Sequence, residues 1–128
     1  SAFKLKWLMD NVAEVKEALE EKRLLFGTVD TWILWNLTGG KHLTDVTNAS
    51  RTFLMDIETL QWDKSLCKYF KVPMYILPEI KASADIYGSV QVGPFKGAAI
   101  TGVIGDQSAA LFGHNCLQMG QTKATFGK

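Results

Sequence analysis

The sequence predicts an α/β fold, and three observations predict it. The N-terminal segment places Leu5, Leu8, Val12, Val15 and Leu19 at the alternating three and four spacing of a helix face. Residues 98–104 are apolar or small, with β-branched Ile100, Thr101, Val103 and Ile104, the composition of a strand buried on both faces. Directly after them, Ser108-Ala-Ala-Leu-Phe112 supplies good helix formers and Gly113 a stop. Helices and buried strands mixed along one chain argue α/β.

Taken in order, the Leu5 to Leu19 face should be buried, with Lys16, Glu17, Glu20, Glu21, Lys22 and Arg23 as its solvated side. A break near Asn11 would divide it into two shorter helices. Leu24-Leu-Phe-Gly27 reads as a short strand or turn. Thr28 then serves as a cap for a helix running to Leu37, packed through Trp32, Ile33, Trp35 and Leu37 and closed by Thr38-Gly-Gly40. Asp30 falls in its first turn, where a carboxylate suits the helix dipole without any catalytic role. The run Thr44-Asp-Val-Thr-Asn-Ala-Ser-Arg-Thr52 is dense in small polar side chains that favour turns and caps. A strand is expected over Phe53 to Ile57 and a short helix over Asp63 to Phe70, with Pro73 and Pro78 as punctuation. Ile86 to Val92 is expected as strand with a turn at Gly88, and Gly93-Pro-Phe-Lys-Gly97 as a tight connection into residues 98–104. Past Gly113, Gln118 to Phe126 reads as a turn at Gly120 followed by a strand.

Composition narrows the function classes. A chain of 128 residues with 47% hydrophobic and 21% charged residues is ordinary for a globular domain with a real core. It contains no apolar run near the roughly 18 residues that span a bilayer, so membrane insertion is not expected. The net charge of +1 and the scattered lysines give no electrostatic case for nucleic acid. Cys67, Cys116, His42 and His114 show none of the spacings of metal sites, and both cysteines read as free thiols in a reducing compartment. Ser1 opens straight into an amphipathic helix, without the basic and apolar regions of a signal peptide. The chain is expected to be a piece of something longer.

Asp106 is the best candidate for chemistry. It lies, with Gln107, where the apolar strand gives way to a helix, the strand end at which open α/β sheets collect ligands. The alternative is that Asp106 merely caps that helix, since Asp readily accepts bonds from the first free backbone N–H groups. Pattern alone leaves the two readings open.

Four segments carry a resemblance. Ser1-Ala-Phe-Lys-Leu-Lys-Trp-Leu-Met-Asp-Asn11, with Lys4 and Trp7 in place, is followed in order by Phe26-Gly-Thr-Val-Asp-Thr-Trp32, by Thr44 to Thr52, and by Gly105-Asp-Gln-Ser-Ala-Ala-Leu111. In these the chain resembles the FGGY carbohydrate kinases almost end to end, and the Thr-Asn-Ala-Ser-Arg-Thr run points to their glycerol kinase branch. The resemblance implies a ribonuclease H-like, actin/hexokinase-type ATPase fold of two domains, with ATP and polyol meeting in the cleft between them. Here that fold would be incomplete. Residues 1–113 would be the later half of the N-terminal kinase domain, and residues 114–128 the opening strand of the C-terminal one.

For the parent protein the resemblance implies an ATP:glycerol 3-phosphotransferase making sn-glycerol 3-phosphate, cytoplasmic, with ATP and Mg²⁺ as cofactors, and a homodimer or homotetramer. Asp106 would bind glycerol hydroxyls, act as the base toward the attacking oxygen, and lie at the Mg²⁺, directly or through a water. Gln107 would also contact glycerol. Lys128 stands where the family usually has an ATP-contacting Thr. Phosphoryl transfer depends on positioning and charge neutralisation, with a carboxylate taking the hydroxyl proton, so the residue types suit the chemistry. The family's first phosphate loop, its Arg-Glu pair and its substrate Tyr would precede Ser1, and its adenosine site would follow Lys128, so the isolated chain is expected to be inactive. The competing readings are another polyol or pentulose kinase of the same family, and a non-catalytic half-domain that only binds.

Overall fold

A computed structural model describes residues 1–127. Helices α1 (Ala2–Asn11) and α2 (Ala13–Glu20) meet at Val12, whose extended backbone (φ −103°, ψ 118°) makes the break expected near Asn11. The break also changes which side chains are buried. Helix α1 buries Ala2, Leu5 and Met9, while Leu8, expected inside, is 40% exposed. Val15 and Leu19 of α2 are only partly buried against the same core. The bend at Val12 ends one helical stripe and starts another, so a single face from Leu5 to Leu19 does not exist.

Residues 24–27 form neither strand nor regular turn. They are tied down singly, Phe26 N–H donating to the Ile76 carbonyl at 2.7 Å and His42 Nε2 lying 2.6 Å from the Phe26 carbonyl oxygen. Helix α3 (Val29–Thr38) follows, with Gly39 at φ 75° providing the left-handed stop that Thr38-Gly-Gly40 predicts. Its buried face is Thr31, Leu34 and Thr38, the i, i+3, i+7 set. The aromatic packing expected of this helix is therefore corrected: Trp32 is 69% exposed and Ile33 50%, Trp35 is exposed and Leu37 only half-buried. One helix has one inward stripe, and here Leu34 and two threonines hold it.

Strand β1 (Leu43–Asp45) is buried throughout and leads into α4 (Val46–Ala49) and a 3₁₀ turn at Ser50–Thr52. Phe53 then takes a left-handed conformation (φ 69°), which delays the expected strand to β2 (Met55–Asp56), paired antiparallel with β3 (Gln61–Trp62). Helix α5 (Lys64–Tyr69) is capped by Asp63, whose carboxylate accepts from Ser65 N–H at 2.6 Å and Leu66 N–H at 2.9 Å. Beyond a 3₁₀ turn at Met74–Ile76, strand β4 (Glu79–Lys81) returns parallel to β1, in register Leu43 with Glu79 and Asp45 with Lys81.

Strand β5 (Ala84–Ser89) runs through Gly88 rather than turning there; Gly88 instead marks a register irregularity, at φ 141°. Its antiparallel partner is β6 (Ala99–Gly102), reached over the exposed tip Gly93–Gly97. The expectation that this strand is buried on both faces fails. Only one edge of β6 is paired, and Ile100 and Val103 alone from this stretch pack onto the cluster of Leu34, Leu43 and Tyr87. Helix α6 (Asp106–Gly113) ends at the predicted glycine. Gly120 does turn (φ 89°), but residues 121–127 form no strand, since no described neighbour offers them a ladder.

Two clusters hold these pieces. The larger gathers Ala2, Leu5, Met9, Leu54, Cys67, Phe70, Val72, Ile76 and Leu77; the smaller is Leu34, Leu43 and Tyr87. Each fully buried large side chain contributes about 1.5–3 kcal/mol relative to exposure. Among the described residues the strands make three two-stranded sheets, of which only β1 with β4 is parallel. Among the described residues no helix is long and apolar enough to cross a membrane.

Candidate active site

The site is built where β6 ends. Val103 N–H donates to the Ser83 carbonyl at 2.9 Å, which holds the chain beside the segment between β4 and β5. Gly105 follows as the N-cap of α6, with extended backbone (φ −65°, ψ 147°). Its N–H donates to Thr47 Oγ1 at 2.7 Å and its carbonyl accepts from Ala109 N–H at 2.8 Å. A Cβ here would stand in contact with Thr47, 3.4 Å from its Oγ1.

Asp106 is the first residue of α6, with an exposed side chain. Asp106 is not the cap residue itself: Gly105 occupies that position and no side-chain cap bond is made. Asp106 Oδ1 accepts only from the adjacent Gln107 N–H, at 2.7 Å, and Oδ2 accepts nothing from the described residues. The carboxylate sits at the positive end of the helix dipole, which stabilises its charge. A solvent-facing carboxylate with a free oxygen can accept a proton or bind a hard cation.

Gln107 is also exposed. Its Oε1 accepts from Lys123 Nζ at 2.8 Å and Thr125 Oγ1 at 2.9 Å, and Lys123 in turn contacts Thr125. An ammonium can only donate, so the atom facing it is the oxygen and the amide nitrogen remains to donate outward. The sequence suggests that Gln107 both donates and accepts toward a polyol; among the described residues its acceptor is engaged and its donors are not. Lys123 and Thr125 escaped the sequence reading, and no local signal marks them. Lys128 lies outside the described residues.

The second layer is Asp45, which is fully buried. Its Oδ2 accepts from Thr47 N–H (3.0 Å), Thr47 Oγ1 (2.6 Å) and Ser83 Oγ (2.7 Å), and its Oδ1 from Asn48 N–H (3.0 Å) and Asn48 Nδ2 (2.7 Å). Burial pushes the carboxyl pKa up, but the bonds from Thr47, Ser83 and Asn48 outweigh it and the net direction is down. Asp45 is thus an anion that caps α4 and also ties β1 to Ser83. Asp45 escaped the sequence reading; the small polar run Thr44–Thr52 marks turns and caps only in general.

Away from this site, a cleft of about 430 Å³ is lined by Arg23, Phe26, Thr31, Trp32, Trp35 and His42 among others. It contains neither Asp106 nor Gln107. Among the described residues no group of three or more His, Cys, Asp or Glu side chains is arranged to hold a metal.

Residues 1–113 match the FGGY family of carbohydrate kinases, N-terminal domain. The chain is 54% identical over 127 residues to a probable glycerol kinase of Caenorhabditis elegans, an overlap of 99% of this chain and 25% of that protein. It superimposes on the crystal structure of Plasmodium falciparum glycerol kinase with ADP at a TM-score of 0.85 and 45% identity, covering 90% of this chain and 24% of that one. A ligand-bound xylulose kinase from Lactobacillus acidophilus gives a TM-score of 0.75 at 25% identity, covering 89% and 24%. The chain spans about a quarter of the length of the relatives it matches. The fold is the ribonuclease H-like, actin/hexokinase-type ATPase fold of these kinases, of which the described elements are a part.

Proposed function

The chain belongs to the FGGY family of carbohydrate kinases, and from that premise we propose that its parent protein transfers the γ-phosphate of ATP to glycerol, giving sn-glycerol 3-phosphate. The observation that carries the reading is Asp106: an exposed carboxylate with an unengaged oxygen, at the first residue of a helix whose cap position is filled by Gly105. In this reading Asp106 accepts the proton of the attacking glycerol hydroxyl. The oxygen forms its bond to the γ-phosphorus as the bond to the β–γ bridging oxygen breaks, and ADP departs. Gln107, its acceptor held by Lys123 and Thr125, donates through Nε2 to a glycerol hydroxyl oxygen and so orients the acceptor.

The donor set fits Mg²⁺. That ion takes hard oxygen ligands and is commonly held by one or two carboxylates plus substrate phosphates and waters, so Asp106 would suffice without a protein cage. When bound, the ion would neutralise charge on the phosphates. Residues 1–113 are the later part of the N-terminal kinase domain in this reading, in keeping with the family match ending at residue 113. Residues 114–128 would lead into the C-terminal domain. The free thiols of Cys67 and Cys116 support a cytoplasmic setting.

Asp106→Asn in the full-length protein tests the assignment, since Asn nearly preserves size but cannot take a proton as a carboxylate does. We expect kcat to fall by about 10² to 10⁴ with the fold intact, equivalent to about 3–5 kcal/mol of barrier. A folded variant with near-normal turnover would remove Asp106 from catalysis, and a preference for xylulose over glycerol in the unmodified protein would move the reading to the pentulose kinases.

A further inference from the structure

The proposed base has no side-chain support of its own, yet the residue before it is anchored through a directed chain of hydrogen bonds. Gly105 N–H donates to Thr47 Oγ1 at 2.7 Å, and Thr47 Oγ1 lies 2.6 Å from Asp45 Oδ2. A threonine hydroxyl has one proton, and an ionised carboxylate can only accept. Asp45 therefore takes the Thr47 proton, and the Thr47 oxygen is obliged to accept from Gly105. The order of donation runs one way, from Gly105 to Thr47 to Asp45.

From this we infer that Thr47, oriented by the buried Asp45 carboxylate, is a positioning residue for Asp106, a role that rests on the kinase reading above. Gly105 has no side chain to fix it, and its two backbone groups are both spoken for: the N–H by Thr47 and the carbonyl by Ala109 N–H at 2.8 Å. With both groups pinned, the peptide leading into Asp106 cannot rotate, and the carboxylate projects from a fixed start of α6. The anchor comes from a residue 58 positions earlier in the chain. Ser83 Oγ, 2.7 Å from the same Asp45 oxygen, keeps that carboxylate from turning toward another partner. Thr47 touches no reacting atom. Its effect on chemistry passes through the placement of Asp106, and a displacement near 1 Å at a reacting group costs about 10²-fold in rate.

The test uses the full-length protein with Thr47→Val, Thr47→Ser, Asp45→Asn and Asp106→Asn, reading kcat, the KM values for glycerol and ATP, and the melting temperature. Valine keeps the shape of threonine but removes the hydroxyl, while serine keeps the hydroxyl. We expect Thr47→Val to lower kcat by about 10- to 100-fold with KM for ATP within about twofold, and Thr47→Ser to return kcat to within about threefold of the parent. Asp45→Asn, which removes the charge that directs the Thr47 proton, should lower kcat in the same sense, and it decides the matter if the valine variant does not fold. A purely structural role would lower the melting temperature and leave kcat of the folded protein unchanged; that result, or a serine variant as slow as the valine one, overturns the inference. If Asp106→Asn abolishes turnover while Thr47→Val does not, the inference alone is lost. If Asp106→Asn turns over normally, the kinase assignment of Asp106 is lost with it.

Discussion

Asp45 shows how a single residue can hold more of the structure than its neighbourhood suggests. Burial raises its carboxyl pKa and the bonds from Thr47, Ser83 and Asn48 lower it further than burial raises it. A group whose folded pKa is depressed contributes stability that is complete above the ordinary carboxylate range and lost as pH falls through the depressed value. On acidification below about pH 4, the melting temperature of the full-length protein should fall more steeply than that of its Asp45→Asn variant, which has nothing to protonate at this point. Superimposable acid profiles would contradict the assignment. The polar run Thr44–Thr52 made the local half of this network legible, because its bonds to residues 47 and 48 are those of a cap. The other half was not legible: the bond from Ser83 spans 38 residues and the one from Gly105 to Thr47 spans 58, and no spacing rule reaches so far. Asp106 was legible as a candidate, while the sequence did not show that Gly105 takes the cap position before it.

At the scale of elements, helix α3 shows both what periodicity settles and what it leaves open. Its stop at Gly39 follows from the glycine pair, while Thr28 stands at the cap position without a side-chain cap bond, its hydroxyl donating to Asp30 instead. The side turned inward did not follow, because the tryptophans drew the expectation toward the wrong face and Leu34 with two threonines lies inside instead. The inward turn of Thr31 makes Gly27 a contact residue. A Cβ at Gly27 would stand 2.6 Å from both Cβ and Cγ2 of Thr31, well inside van der Waals contact. The Gly27 backbone is not in the left-handed region, so alanine there meets only this clash. Gly27→Ala should destabilise the full-length protein by about 1–3 kcal/mol; an unchanged denaturation midpoint would show that α3 is free to shift. Strand β6 carries the same lesson, since its β-branched run marks a strand but says nothing about whether a second neighbour covers it.

For the molecule as a whole, the ordered motifs made the family legible, while the pairing of β1 with β4 across the chain did not appear in any local pattern. The consequence for activity is direct. Asp106 and Gln107 are present, yet a carboxylate alone cannot hold nucleotide, metal and acceptor in line, and positioning supplies about 7–11 kcal/mol in the best-aligned reactions. The purified 128-residue chain should therefore phosphorylate no glycerol from ATP above its own Asp106→Asn control, as followed by ADP release. Turnover above that control would mean that these residues suffice without the remaining three-quarters of the length seen in relatives.

The parallel register of β1 and β4 also sets an order of events in time. The bonds from Thr47 and Asn48 to Asp45 lie within three residues of it and can form with the first turn of α4. The bond from Ser83 cannot; it requires the intervening chain to fold back so that Asp45 lies beside Lys81, and closure of so long a loop precedes any return from the contacts it makes. Gly105 joins Thr47 only after β5 and β6 have followed. In a nascent or partly unfolded chain the α4 cap needs only its own neighbours, whereas the contact that fixes Gly105 beside Asp106 needs 58 residues of chain to close first.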